Sequence, residues 1–101
     1  MIVVTQLIYI HKGQETVFDE FEAVAIPAIS RYNGRLLFRL RPAADAYIES
    51  DIEPPYEIHM VEFAQEADLT AFMQDEERKR FLNLKEQSVR SMMLVKGENY
   101  K

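Results

Sequence analysis

The stretch around Asn33 and Gly34 changes its hydrophobic period within a few residues, and this change strongly constrains the fold. Up to Tyr32 the apolar residues recur at helical spacing, whereas from Arg35 onward they alternate as in a β-strand. Asn33 and Gly34 tolerate the left-handed backbone with which helices commonly end. The stretch therefore predicts a helix that passes directly into a strand over Arg35 to Arg41.

The remaining periodicity predicts three further strands and a second helical region. β-Branched residues fill Ile2 to Ile10, and strand-like alternation recurs over Tyr56 to Phe63 and Gln87 to Val95. Apolar stripes at helical spacing run from Gln14 to Tyr32 and again from Asp68. The order strand, helix, strand, strand, helix, strand predicts the ferredoxin-like α+β fold, a four-stranded antiparallel sheet with both helices on one face.

The length of 101 residues fits one domain, and we expect residues 1–96 to form it and residues 97–101 to be a polar tail. The net charge of -5 argues against binding to nucleic acids or anionic membranes, which both need a basic surface. The apolar N-terminus has no basic flank or small-residue cleavage site and is too short to span a bilayer, so we expect a cytoplasmic protein.

No metal or cofactor is predicted. The chain has no cysteine, which excludes disulfides and thiolate ligands. Its two histidines lack the spacing of a metal-binding pair. The acidic connection from Asp45 to Glu53 could bind a cation, but its carboxylates do not follow a dense ligand pattern, and a solvated loop is the preferred interpretation.

Apolar residues lie on both faces of the predicted central strands, although helices can cover only one face. In the first strand Val3 and Leu7 point to one side and Val4 and Ile8 to the other. The uncovered apolar face must therefore contact something else, and a second copy of the chain is the simplest partner. We accordingly expect a homodimer.

Two segments resemble a known family. Ile26 to Arg39 matches a helix that ends in Pro-x-Ile, followed by Gly-Arg and a strand with arginine, and Val61 to Phe63 precedes a helix with Ala71-Phe72. On these motifs the chain resembles the domain of unknown function 1330 family of the dimeric α/β-barrel superfamily. The resemblance implies a homodimer whose sheets pack face to face into a barrel, and it implies no reaction. The chain departs from the family at Leu40-Arg41-Pro42, where Gly-Gly is frequent.

The candidate site consists of residues on the predicted strands. If the second and third strands form an antiparallel hairpin, Arg35 and Arg39 share a face with Glu62. These charges could bind an anionic or polar ligand, Glu62 could act as a base, or the group could be a buried ion pair that fixes the dimer. His59 lies on the opposite face and is either a second candidate base or a core residue.

The candidate ligand-binding residues are therefore Arg35, Arg39, Glu62, Tyr9 and Tyr56, and the candidate catalytic residues are Glu62 and His59. Three functions stay open. The first is binding of a small, partly apolar molecule in the barrel, the second is a cofactor-independent monooxygenase or isomerase, and the third is a structural protein with a filled barrel.

Overall fold

A computed structural model describes residues 1–99 and confirms the ferredoxin-like α+β fold. One antiparallel sheet has the strand order β2-β3-β1-β4 and is covered on one face by helices. The strands are β1 (Ile2–Ile10), β2 (Gly34–Leu40), β3 (Glu57–Phe63) and β4 (Val89–Glu98). The helices are α1 (Glu15–Ile29), α2 (Glu66–Met73), α3 (Glu76–Arg80) and α4 (Leu82–Ser88). Within residues 1–99, no helix combines the length and apolar character needed to cross a bilayer.

The passage from helix to strand around Gly34 is confirmed. Helix α1 ends at Ile29, a single 3₁₀ turn follows, and Asn33 adopts the left-handed conformation with φ of 57° before β2 begins. Gly34 lies against the side chains of Ile29 and Phe63, so closely that a Cβ atom there would be 2.7 Å from both. The absence of a side chain at Gly34 therefore lets β2 start directly beneath α1.

A β-bulge at Leu37 places two of the predicted site residues on different faces of the sheet. Arg35 pairs with Glu62, but the register shifts after Leu36 and Arg39 pairs with His59. A bulge inserts one unpaired residue and so reverses the inward and outward alternation that follows. The prediction that Arg39 shares a face with Glu62 is therefore wrong, because Arg39 lies with His59 on the helix-covered face.

The sheet face opposite the helices, called here the open face, is apolar, as the sequence predicted. The register of the four strands places on it residues that are exposed or half-buried in the single chain. They are Val3, Leu7, Phe38, Leu40, Ile58, Met60, Met93 and Val95. Strand β4 runs to Glu98, so residues 97 and 98 of the predicted polar tail belong to the sheet. The last two residues of the predicted tail, 100 and 101, lie outside the described part of the chain.

Candidate functional site

A cavity of about 70 Å³ lies between the helices and the covered face of the sheet. Most of its wall is apolar, with aromatic rings from α1, α2 and β3 and aliphatic side chains from β1. An engineered apolar cavity of about 150 Å³ in another protein binds benzene. The cavity in this chain therefore accommodates a smaller molecule, with an apolar part against its wall.

A few polar side chains from different elements reach the same cavity. Glu22 follows Phe18 by one turn on α1, His59 points to the covered face of β3, and Arg78 and Lys85 come from α3 and α4. Residues four apart on a helix share a face, which is why Glu22 accompanies the buried Phe18. An apolar wall with a few converging polar groups is the usual composition of a small-molecule site.

Arg78 is a buried cation whose side chain has few protein partners. It is 7% exposed, and its guanidinium lies over the rings of Phe21 and Phe72, at 5.9 and 5.4 Å from their centroids. Its side chain makes one hydrogen bond, from Nη1 to the carbonyl oxygen of Met73, at 3.4 Å. Burial lowers the Arg78 pKa. Arg78 lies in the charged run of residues 76–80, a composition typical of a solvated helix face, yet its own side chain is buried.

Glu22 is the buried carboxyl group of the cavity. It is 8% exposed, and no hydrogen bond or ion pair among residues 1–99 involves its side chain. Burial raises the Glu22 pKa, an effect that the nearby charges of His59, Arg39 and Arg78 only partly oppose. The group therefore retains its proton to a higher pH than an exposed glutamate does.

Glu57 holds His59 in place at one end of this region. Its carboxylate, 1% exposed, contacts His59 Nε2, and it accepts hydrogen bonds from Arg39 Nε at 3.1 Å and Arg41 Nε at 2.6 Å. Burial alone would raise the Glu57 pKa, but the hydrogen bonds from His59 and Arg41 and the charge of Arg39 lower it to about 2. The carboxylate is therefore ionised and acts as an acceptor, so Nε2 of His59 donates to it.

The other predicted site residues lie outside the cavity. Arg35 Nη2 is 3.2 Å from Glu62 Oε1, so these two form the predicted pair, on the open face. The Tyr9 hydroxyl donates to the carbonyl oxygen of Glu53 at 2.8 Å. The Tyr56 ring lies 4.9 Å from the guanidinium carbon of Arg41. Of the predicted residues, only His59 reaches the cavity, and ligand contacts at the others stay predictions.

Three of the charged residues described above were not singled out from the sequence: Glu22, Glu57 and Arg78. Glu57 carried a usable signal, since residues two apart on a strand share a face and Glu57 precedes His59 by two. Glu22 carried one as well, since it follows the apolar Phe18 by one helical turn, whereas no comparable signal marks Arg78. Among residues 1–99, no group of three or more histidine and acidic side chains is arranged to hold a metal ion.

Comparison with known families gives no match, and neither does comparison with curated protein sequences. Comparison with solved structures does give matches to this chain. A protein of unknown function from Rhodopseudomonas palustris has a TM-score of 0.81 at 12% identity, over 99% of this chain and 82% of that one. A putative antibiotic biosynthesis monooxygenase from Nitrosomonas europaea has a TM-score of 0.77 at 11% identity, over all of both chains. A dimeric protein of unknown function with a ferredoxin-like fold from Bacteroides fragilis has a TM-score of 0.69 at 16% identity, over 97% of this chain and 95% of that one. At these identities the likeness shows the fold alone.

Proposed function

We propose that this protein binds a small, partly apolar molecule in the cavity between its sheet and its helices. The observation that carries the proposal is the apolar wall of this cavity, into which Glu22, His59, Arg78 and Lys85 converge. The sequence had suggested a ligand in the barrel between two sheets. The cavity supports a site within one chain instead, on the other face of the sheet.

Filling the cavity should abolish binding. Ala25 lies on the cavity wall and is buried, so Ala25→Leu places three more carbon atoms in the space that a ligand would occupy. In an NMR titration of the ¹⁵N-labelled protein with three-carbon probes (propionate, propionamide and propanol), we expect at least one probe to shift the amide signals of cavity residues such as Phe72. The Ala25→Leu variant should show no such shifts.

Ala23→Leu is the matched control, since Ala23 is an exposed residue two positions earlier on the same helix. It should bind like the wild type. If no probe binds the wild type at millimolar concentration, or if Ala25→Leu binds as well as Ala23→Leu, the proposed site is wrong. The first of these results would favour the structural alternative, a protein with a filled interior.

We also propose that two chains pair through their open faces. The support is the set of exposed apolar side chains on that face, because contiguous apolar patches commonly mark protein interfaces. The Bacteroides fragilis protein with this fold is described as dimeric. Membership of the domain of unknown function 1330 family and a cytoplasmic location stay predictions, the former on the motifs around Gly34.

The dimer can be tested with two neighbouring residues. Met93 and Leu94 are adjacent in β4 and similarly exposed, at 47% and 41%, but Met93 lies on the open face and Leu94 on the helix-covered side. Because a lysine buried at an apolar interface lacks a partner, Met93→Lys should shift the protein toward monomer in sedimentation at micromolar concentration. Leu94→Lys should leave it dimeric. A monomeric wild type would contradict the proposal.

A second candidate function is a cofactor-independent monooxygenase or isomerase that acts on the same ligand. It is favoured by His59 and Glu22 at the cavity, since a buried carboxyl with a raised pKa beside an oriented imidazole is a plausible acid–base pair. A protein of the same fold is described as a putative monooxygenase. Turnover of a bound molecule that His59→Gln abolishes without weakening binding would support this candidate, and binding without turnover would support the first.

A further inference from the structure

We infer that the molecule bound in the cavity is a short-chain organic carboxylate, and that Arg78 binds its carboxylate group. The inference rests on the proposed binding function and names the ligand class of the same cavity. Its starting point is that Arg78 is 93% buried, and that the long bond to Met73 is the only hydrogen bond of its guanidinium among residues 1–99. A guanidinium carries several N–H donors, so most of these remain available.

A buried charge normally has a partner of opposite sign in direct contact, whereas the carboxyl groups of Glu22 and Asp75 act on Arg78 within the described residues without forming an ion pair with it. The ten ion pairs of residues 1–99 do not include it. The nearby carboxylate of Asp75 accepts from the backbone N–H of Arg78 and from the side chains of Arg31 and Tyr32. The carboxylate in direct contact that Arg78 lacks is therefore expected from a ligand in the adjoining cavity.

Glu22 and Lys85 strengthen the preference for an anion. Burial raises the Glu22 pKa, which favours the neutral form of the one buried carboxyl group on the cavity wall. Lys85 adds a second basic side chain to the same wall, although burial and the charge of Arg78 lower its pKa. The wall therefore carries two basic side chains against one carboxyl group, so an anionic ligand would be attracted rather than repelled.

The shape of the site favours a carboxylate over an inorganic anion. The guanidinium fork matches the two oxygens of a carboxylate, whereas the further oxygens of phosphate or sulfate would find no hydrogen bonds at the rings around Arg78 or at the aliphatic part of the wall and would depend on Lys85. These same surfaces suit the hydrocarbon part of a short acid. The volume of about 70 Å³ limits that part to a few carbon atoms.

The experiment compares acids with their amides, which have the same shape but no charge. Acetate, propionate and butyrate are titrated into the ¹⁵N-labelled full chain near neutral pH, alongside acetamide, propionamide and butyramide at equal ionic strength. We expect the best acid to bind at least about tenfold more tightly than its amide, as hydrogen bonds to charged groups typically provide. Arg78→Gln should remove this preference, and Arg78→Lys should restore part of it.

Lys79→Gln is the control, because it removes the same charge from the exposed neighbour on α3 and should leave the preference intact. The comparison in the wild type needs no variant and so remains decisive even where Arg78→Gln does not fold. Amides that bind as tightly as the acids would overturn the carboxylate inference and leave the binding function standing. Binding of phosphate or sulfate more tightly than any acid would overturn it as well. Absence of binding by every probe would instead remove the proposed function itself.

Discussion

Glu57→Gln is expected to lower the free energy of unfolding by about 3 kcal/mol, because removing one partner of a buried ion pair leaves the other charges uncompensated. The carboxylate of Glu57 is the shared acceptor of Arg39, Arg41 and His59. An amide can accept with one oxygen only and carries no charge. Urea unfolding of wild type and variant at one fixed protein concentration measures the difference, since the stability of a dimer depends on concentration.

The pH dependence follows from the direction of the Glu57 pKa shift. The pKa falls from its ordinary value of 4.5 in the unfolded chain to about 2 in the folded one. The resulting stabilisation, on the order of 3 kcal/mol, is therefore fully present above about pH 4.5 and is lost as the pH falls toward 2. The pKa of Asp75 is also lowered to about 2, so the wild type has more than one such contribution. The difference between wild type and Glu57→Gln isolates the part due to Glu57, and it should shrink toward zero in acid.

Glu53→Gln is the matched control for Glu57→Gln. Glu53 pairs with Arg90 at 2.6 Å, but both side chains are exposed, and exposed pairs contribute about 0–1 kcal/mol. Equal stability losses in the two variants would contradict the central role assigned to Glu57. A loss in Glu57→Gln that stays constant down to pH 2 would show that packing, rather than the ionised carboxylate, accounts for the effect.

The fold could be predicted from the sequence because local signals and the global pattern agree. Strand β1 was predicted over the residues where it is found, and Asn33 ends the first helical segment as its left-handed tendency suggests. The apolar character of both sheet faces predicted the open face as well. These features depend on the hydrophobic period and on backbone preferences, which neighbouring residues largely determine.

The bulge at Leu37 could not be predicted in the same way. The sequence of β2 is equally compatible with regular alternation and with a bulge. Leucine or phenylalanine occupies each of positions 36–38, and either face of the sheet accepts such residues. The consequence is large, because the bulge transfers Arg39 from the side of Glu62 to the side of Glu57 and His59. One unpaired residue thus decides whether the arginines of β2 act together or on opposite faces.

The buried charges of the helices were missed for a different reason. Arg78 lies in the run Glu76 to Arg80, whose opposite charges at three- and four-residue spacing are typical of a solvated helix face. Its burial depends on how the short helix α3 packs against α1, where Phe21 lies beneath the guanidinium. Packing between elements distant in sequence has no local signature, so the polar part of the cavity becomes visible only in three dimensions.

Gly34→Ala is expected to destabilise the fold by about 1–3 kcal/mol, the usual cost of placing an extra carbon atom in a filled core. The new Cβ would lie 2.7 Å from Ile29 Cγ2 and from the ring of Phe63. Both neighbours are almost completely buried and packed against Phe72 and Val61, so neither can move away without disturbing the core. The start of β2 must then separate from α1, which loosens the passage from helix to strand.

Gly97→Ala provides the contrast, since Gly97 is also a strand residue but has no atom of its own chain within 4 Å of a Cβ built on it. Glycine within a strand is unfavourable relative to alanine by roughly 0.5–1 kcal/mol, so this variant should be neutral or slightly more stable than the wild type. The two variants therefore change the same chemical group with opposite expected signs in urea unfolding at one protein concentration. If Gly34→Ala were as stable as Gly97→Ala, the close contact of β2 with α1 would not be a constraint on the fold, and the glycine would serve only the turn.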